Sequence, residues 1–116
     1  MLADFKGIHS PDCDLKTYIP DDLEDFSIFV QVFFGPKDAE GCESFDFTIC
    51  TSKWLQKKYG GEAAFLRNLV LVSNFNYDLL VDKFKKLAAS MSGKDWNEIG
   101  TKLSRFGRWE FEDYRS

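Results

Sequence analysis

Phe26-Ser27-Ile28-Phe29-Val30-Gln31-Val32-Phe33-Phe34 decides the fold of this chain. Phe26, Ile28, Val30, Val32 and Phe34 fall on one side, while Ser27, Phe29, Gln31 and Phe33 fall on the other. Period two means a strand, and apolar residues on both sides mean an inner one. Gly35 and Pro36 should stop it. A polar turn through Gly41 follows, after which Phe45, Phe47 and Ile49 alternate with Ser44, Asp46 and Thr48. Two such runs joined by a polar turn predict an antiparallel hairpin.

Upstream, Leu2 to Ile8 is a weaker strand ending at Ser10 and Pro11, and the segment from Asp12 to Asp25 is a loop containing Pro20. Downstream the pattern becomes helical. Thr51 or Ser52 can cap a short helix carrying Trp54 and Leu55, with Lys57 and Lys58 in its last turn and Gly60 after it, the charge order that the helix dipole favours. Leu69 to Val72 is short, branched and apolar, and reads as a buried strand. Tyr77, Leu80, Val81, Phe84, Leu87, Ala88 and Met91 recur at three and four residues, the clearest amphipathic helix in the chain. Asp95 with Glu98 starts a further helix whose Trp96, Ile99, Leu103 and Phe106 share a face, closed by Gly107. Trp109 and Phe111 alternate with charged neighbours in a last strand. The order β-β-β-α-β-α-α-β predicts a single α+β domain over residues 1–116, a mainly antiparallel sheet with helices packed on one face.

Charge is segregated along this frame. Residues 1–50 hold eleven Asp or Glu against three Lys or Arg, a balance of −8, whereas residues 51–116 hold eight against twelve, or +4, which sum to the net −4. Asp12, Asp14, Asp21, Asp22, Glu24 and Asp25 are opposed only by Lys16 within their segment, a local field suited to a basic partner surface. Nucleic-acid binding is disfavoured, because affinity for phosphate comes from clustered Lys and Arg. No run approaches the roughly twenty apolar residues of a membrane span. Met1 to Ser10 lacks the apolar core of a signal peptide, which predicts a cytoplasmic protein. Cys13, Cys42 and Cys50 are an odd, widely spaced set, read as reduced thiols.

Chemistry has few candidates. His9 lies near Asp12, Cys13 and Asp14, but the other cysteines do not supply the paired spacing of a zinc site, and the Gly and Glu of a calcium loop are missing. Cys13 as a nucleophile with His9 as base lacks an orienting third group and an oxyanion hole. Gly60 and Gly61 follow a helix and are not a phosphate loop. The three tryptophans are expected as core fillers, with a ligand cage as the lesser option. The acidic loop is either a solvated connection or a docking surface. Leu15, Tyr18, Ile19, Leu23 and Phe26, interleaved with its carboxylates, favour a segment pinned to the body with its charges outward, and Tyr18 as an interface anchor.

Gly7-Ile8-His9-Ser10-Pro11-Asp12, Phe34-Gly35-Pro36, Glu43 to Phe47 leading to Cys50-Thr51 and Trp54-Leu55, and Arg105-Phe106-Gly107 with Trp109-Glu110-Phe111 together resemble the immunity protein eight family of bacterial polymorphic toxin systems. The resemblance runs in order along nearly the whole chain, and Ser52 stands where proline is expected. It implies a cytoplasmic antidote that binds the C-terminal domain of a cognate secreted or contact-delivered toxin, without enzymatic activity, cofactor or catalytic residues. Against a nuclease toxin, Asp12, Asp14, Asp21, Asp22, Glu24 and Asp25 would steer docking onto a basic cleft, with Tyr18 as anchor. Binding away from the toxin's active site would instead bring in Glu40 and Glu43 or the exposed helix faces. A small interaction domain without a toxin, or a Cys13–His9 enzyme, are the rival readings, and oligomeric state is not encoded in these patterns.

Overall fold

A computed structural model describes residues 1–112. The chain runs β1 (Ala3–His9), β2 (Ser27–Pro36), β3 (Glu43–Cys50), α1 (Ser52–Tyr59), β4 (Leu69–Leu71), α2 (Tyr77–Ala89), α3 (Trp96–Leu103) and β5 (Arg108–Trp109). The α+β order read from the sequence holds element for element, with the strands in one mixed sheet.

β2 is central, antiparallel to both β1 and β3. Its alternation sorts the two faces. Ile28, Val30, Val32 and Phe34 are buried, as are Phe45, Phe47 and Ile49 opposite them on β3. Phe29, Gln31 and Phe33 are only half-buried, because α2 and α3 pack on the opposite face and only α1 flanks this one. Gly35 and Pro36 do not stop β2. They extend it by pairing with Asp4 and Ala3. Pro36, which cannot donate to a ladder, is tolerated where the strand ends. Gly35 is required there because a Cβ would collide with the Gly41 carbonyl oxygen.

α2 and α3 supply the covering layer. Leu80, Phe84 and Ala88 of α2 and Ile99 and Leu103 of α3 are buried against the apolar sheet face, the spacing of an amphipathic helix. Rings meet edge to face through this core: Phe34 with Phe45 at 5.4 Å, and Phe84 with Phe47 at 4.9 Å. Each fully buried Phe contributes about 1.5–3 kcal/mol of transfer free energy. Regular α3 ends at Leu103, short of the stop expected at Gly107. Gly107 N–H still bonds to the Leu103 carbonyl, but the intervening turn swings Phe106 off the buried face and leaves it exposed.

The far edge of β3 is shared. β4 runs parallel to it over Thr48–Cys50, which requires the long crossover through α1, while β5 pairs antiparallel with Phe45 and Asp46. β4 and β5 therefore lie end to end along one strand.

Candidate functional site

The acidic segment between β1 and β2 is held at both ends and in the middle. At its entry the buried Ser10 hydroxyl accepts the Asp12 N–H at 3.2 Å. Leu15 is buried in the core, Pro20 is buried, and the Tyr18 ring packs edge-on against Phe75 at 5.1 Å and Phe26 at 6.3 Å. At its exit Phe26 N–H donates to the Thr51 hydroxyl and Thr51 N–H to the Phe26 carbonyl. The same hydroxyl caps α1 by accepting Trp54 N–H, so loop exit and helix start are locked by one side chain.

Between these pins two aspartates shape the backbone. Asp14 Oδ1 accepts Lys16 N–H at 3.0 Å, and Asp22 Oδ1 accepts Glu24 N–H at 2.9 Å. These are Asx turns, in which a short carboxylate replaces a backbone acceptor. Asp12, Asp14, Asp21, Asp22 and Glu24 are exposed, and among the described residues none forms an ion pair. Asp25 differs. Its carboxylate is bound by Lys57 of α1, and that hydrogen bond raises the lysine's pKa. Ile19 and Leu23 stand out from the same loop, 77 % and 62 % exposed. The interleaving noted in the sequence thus splits in two: Leu15, Tyr18 and Phe26 face inward, Ile19 and Leu23 outward. Tyr18 is a half-buried pin, its hydroxyl pKa raised by burial and by the neighbouring Cys13 and Asp21.

The other candidate chemistry is weakly placed. His9 is exposed at the end of β1 and shares a shallow depression with Cys13, Asp14 and Tyr77. Burial, with Asp12 and Asp14 nearby, pushes the Cys13 thiol up despite a hydrogen bond with Ser10, the wrong direction for a thiolate nucleophile. Among the described residues no three His, Cys, Asp or Glu side chains gather as a metal site. No helix there is long and apolar enough to cross a membrane.

A match to the family model described as Immunity protein 8 spans residues 3–114. The chain belongs to that family. No curated protein and no solved structure matches it. Membership in Immunity protein 8 supports a toxin-neutralising role and names no toxin.

Two features of this family member escaped the sequence reading. Glu43, a candidate for exosite contact, is committed internally: its Oε1 accepts both the Trp96 and the Trp109 indole N–H. The uncovered sheet face is also hollowed beside α1 into a groove of about 540 Å³ lined by Phe29, Trp54, Lys58, Phe65, Arg67 and Arg108 among others. Trp54, expected as core, lines this groove half-exposed, with Lys58 Nζ 5.3 Å over its ring. The signal in the sequence was Phe29 and Phe33 on the second side of β2, which says that the face is apolar but not that it lies open.

Proposed function

We propose that this protein is a cytoplasmic antidote that neutralises a cognate toxin domain by binding it through the Asp12–Asp25 loop, and that it transforms no substrate. The observation that carries this reading is the combination of five exposed carboxylates, without ion pairs among the described residues, and a backbone already fixed by Leu15, Tyr18, Pro20 and two Asx turns. A loop ordered before binding loses little entropy on docking. Its negative field accelerates encounter with a basic surface, and Ile19 and Leu23 supply apolar contact once the surfaces meet.

A nuclease suits this surface, since its cleft must hold phosphate with Lys and Arg. The loop would fill that cleft and exclude nucleic acid. Asp25 contributes less than its neighbours because Lys57 already neutralises it. No cofactor or metal enters the mechanism.

The test is the association rate with a cognate toxin domain, for wild type and for Asp21→Asn/Asp22→Asn/Glu24→Gln. The Asp22→Asn change keeps the Asx-turn acceptor, so the loop shape survives while its charge falls. Association should slow by about tenfold or more at low salt and lose much of its salt dependence, since steering of this kind changes on-rates by roughly 10–10³. Unchanged low-salt kinetics would refute the loop as the docking surface, and a toxin that stays lethal beside the folded protein would refute the antidote.

A further inference from the structure

β4 leaves half of its backbone unused. Asn68 C=O accepts Thr48 N–H at 2.8 Å and Val72 N–H donates to Cys50 C=O at 2.9 Å. With that phase in a parallel ladder, the N–H and C=O of Leu69 and Leu71 turn away from β3 toward the sheet's rim. An open edge is a template for another strand, and although β4 is only three residues long it carries none of the charge, bulge or proline that otherwise block such an edge.

The two sides of this edge differ. On the helix side, Val70, Leu80, Phe84, Leu87 and Phe106 line an apolar trough of about 500 Å³ with Lys83 and Lys86 at its rim. It continues past Leu71 and Leu79 into a further hollow of about 290 Å³. On the uncovered face lies the polar groove of Lys58, Arg67 and Arg108, where Asp12 is the sole carboxylate among the described lining residues. Exposed apolar side chains crowd here as well: Leu71 is 62 % and Leu79 66 % exposed, and Phe65, Leu66 and Phe106 stand out nearby.

The geometry points to an extended segment of a partner protein, alternating apolar and acidic residues, that adds to the sheet along Leu69–Leu71. Side chains of an added strand point alternately to the two faces, so its apolar residues would enter the α2 trough while its carboxylates reach Arg67, Lys58 and Arg108. Arg67 already holds one such group, the Glu112 carboxylate at 2.6 Å. A second copy of the chain fits worse, because pairing β4 with β4 brings both cationic rims together. This surface meets the acidic loop only at Asp12, and its test does not depend on a toxin.

The probe is the blocked hexapeptide Glu-Leu-Glu-Leu-Glu-Leu, with Lys-Leu-Lys-Leu-Lys-Leu as its counterpart, titrated into the full chain while amide hydrogen exchange is followed by NMR. The acidic peptide should slow exchange at Leu69 and Leu71 by about tenfold, the sign that their N–H groups have gained partners, and the basic peptide should not. Lys58→Glu/Arg108→Glu, two exposed substitutions in the groove that receives the carboxylates, should reverse that preference. Leu71→Asp should abolish protection while circular dichroism stays unchanged. Protection by both peptides alike, protection confined to other residues, or none would overturn the proposal. So would protection that grows with protein concentration in the absence of peptide, which would make a second copy the occupant.

Discussion

A single oxygen of Glu43 accepts two indole N–H groups, from Trp96 at 2.6 Å and Trp109 at 3.0 Å. Glu43 opens β3, Trp96 opens α3 and Trp109 ends β5, so one carboxylate joins β3 to two elements 53 and 66 residues further along the chain. Glu43→Ala would leave both donors without this acceptor in a part-buried site, and hydrogen bonds to a charged group are worth about 1.5–3 kcal/mol. Urea unfolding should show a loss in that range for Glu43→Ala and a clearly smaller one for Glu43→Gln, whose amide oxygen can still accept. Equal losses for the two would mean that the side chain matters through packing alone.

Gly100 shows which of two opposing effects wins at the same junction. Alanine inside a helix is favoured over glycine by about 1 kcal/mol. Here, however, a Cβ would sit 2.6 Å from two atoms of the buried Trp109 ring, so that the indole would have to shift within the core. Overpacking of that sort costs about 1–3 kcal/mol, so Gly100→Ala should lower the melting temperature although it improves helix propensity. Gly107→Ala, whose Cβ would run into the Phe47 ring, should do the same with no helical gain to offset it.

These two junctions mark where local sequence pattern stops informing. Elements with a strict period were legible: β2, β3 and α2 declare themselves through Phe26–Phe34, Phe45–Ile49 and Tyr77–Ala88, and Thr51 and Asp95 cap the helices as their residue types require. Partners were not. Nothing within Leu69–Leu71 says that it lies parallel to β3, nor within Arg108–Trp109 that it shares the same edge, because pairing is set by chain closure and not by the strand's own residues. For the candidate site, the carboxylates and the apolar pins could be read directly. The capture of Asp25 by Lys57 and of Glu43 by two tryptophans could not, since both pairings cross long stretches of chain.

Asp46 carries a pH dependence of unusual sign. Partial burial on the sheet raises its pKa, helped by Glu110 and opposed by the Gln31 hydrogen bond and Arg108. A carboxyl whose folded pKa lies above its unfolded value of about 3.9 destabilises the fold at any pH where it is ionised, and this penalty fades as pH falls through the folded pKa. Asp46→Asn should therefore be more stable than wild type near neutral pH, with the gap closing toward about pH 3, where both forms are uncharged. Chemical denaturation at the two pH values measures it. A variant less stable than wild type at neutral pH would mean that attraction to Arg108 outweighs the burial.

The three thiols should react in an order fixed by exposure and ionisation, and that order also tests the rival enzymatic reading. Only the thiolate attacks an alkylating reagent, so a raised pKa slows reaction and burial blocks it. Cys42 is exposed in the hairpin loop, Cys13 is half-buried with its pKa raised, and Cys50 is fully buried with its pKa raised by burial alone. Iodoacetamide near neutral pH should modify Cys42 first and Cys13 more slowly, and it should reach Cys50 only as fast as the core opens. Mass spectrometry of timed digests resolves the three sites. A catalytic cysteine would invert this pattern, with Cys13 labelled ahead of the freely accessible Cys42 and protected when His9 is replaced. The raised Cys13 pKa predicts the opposite.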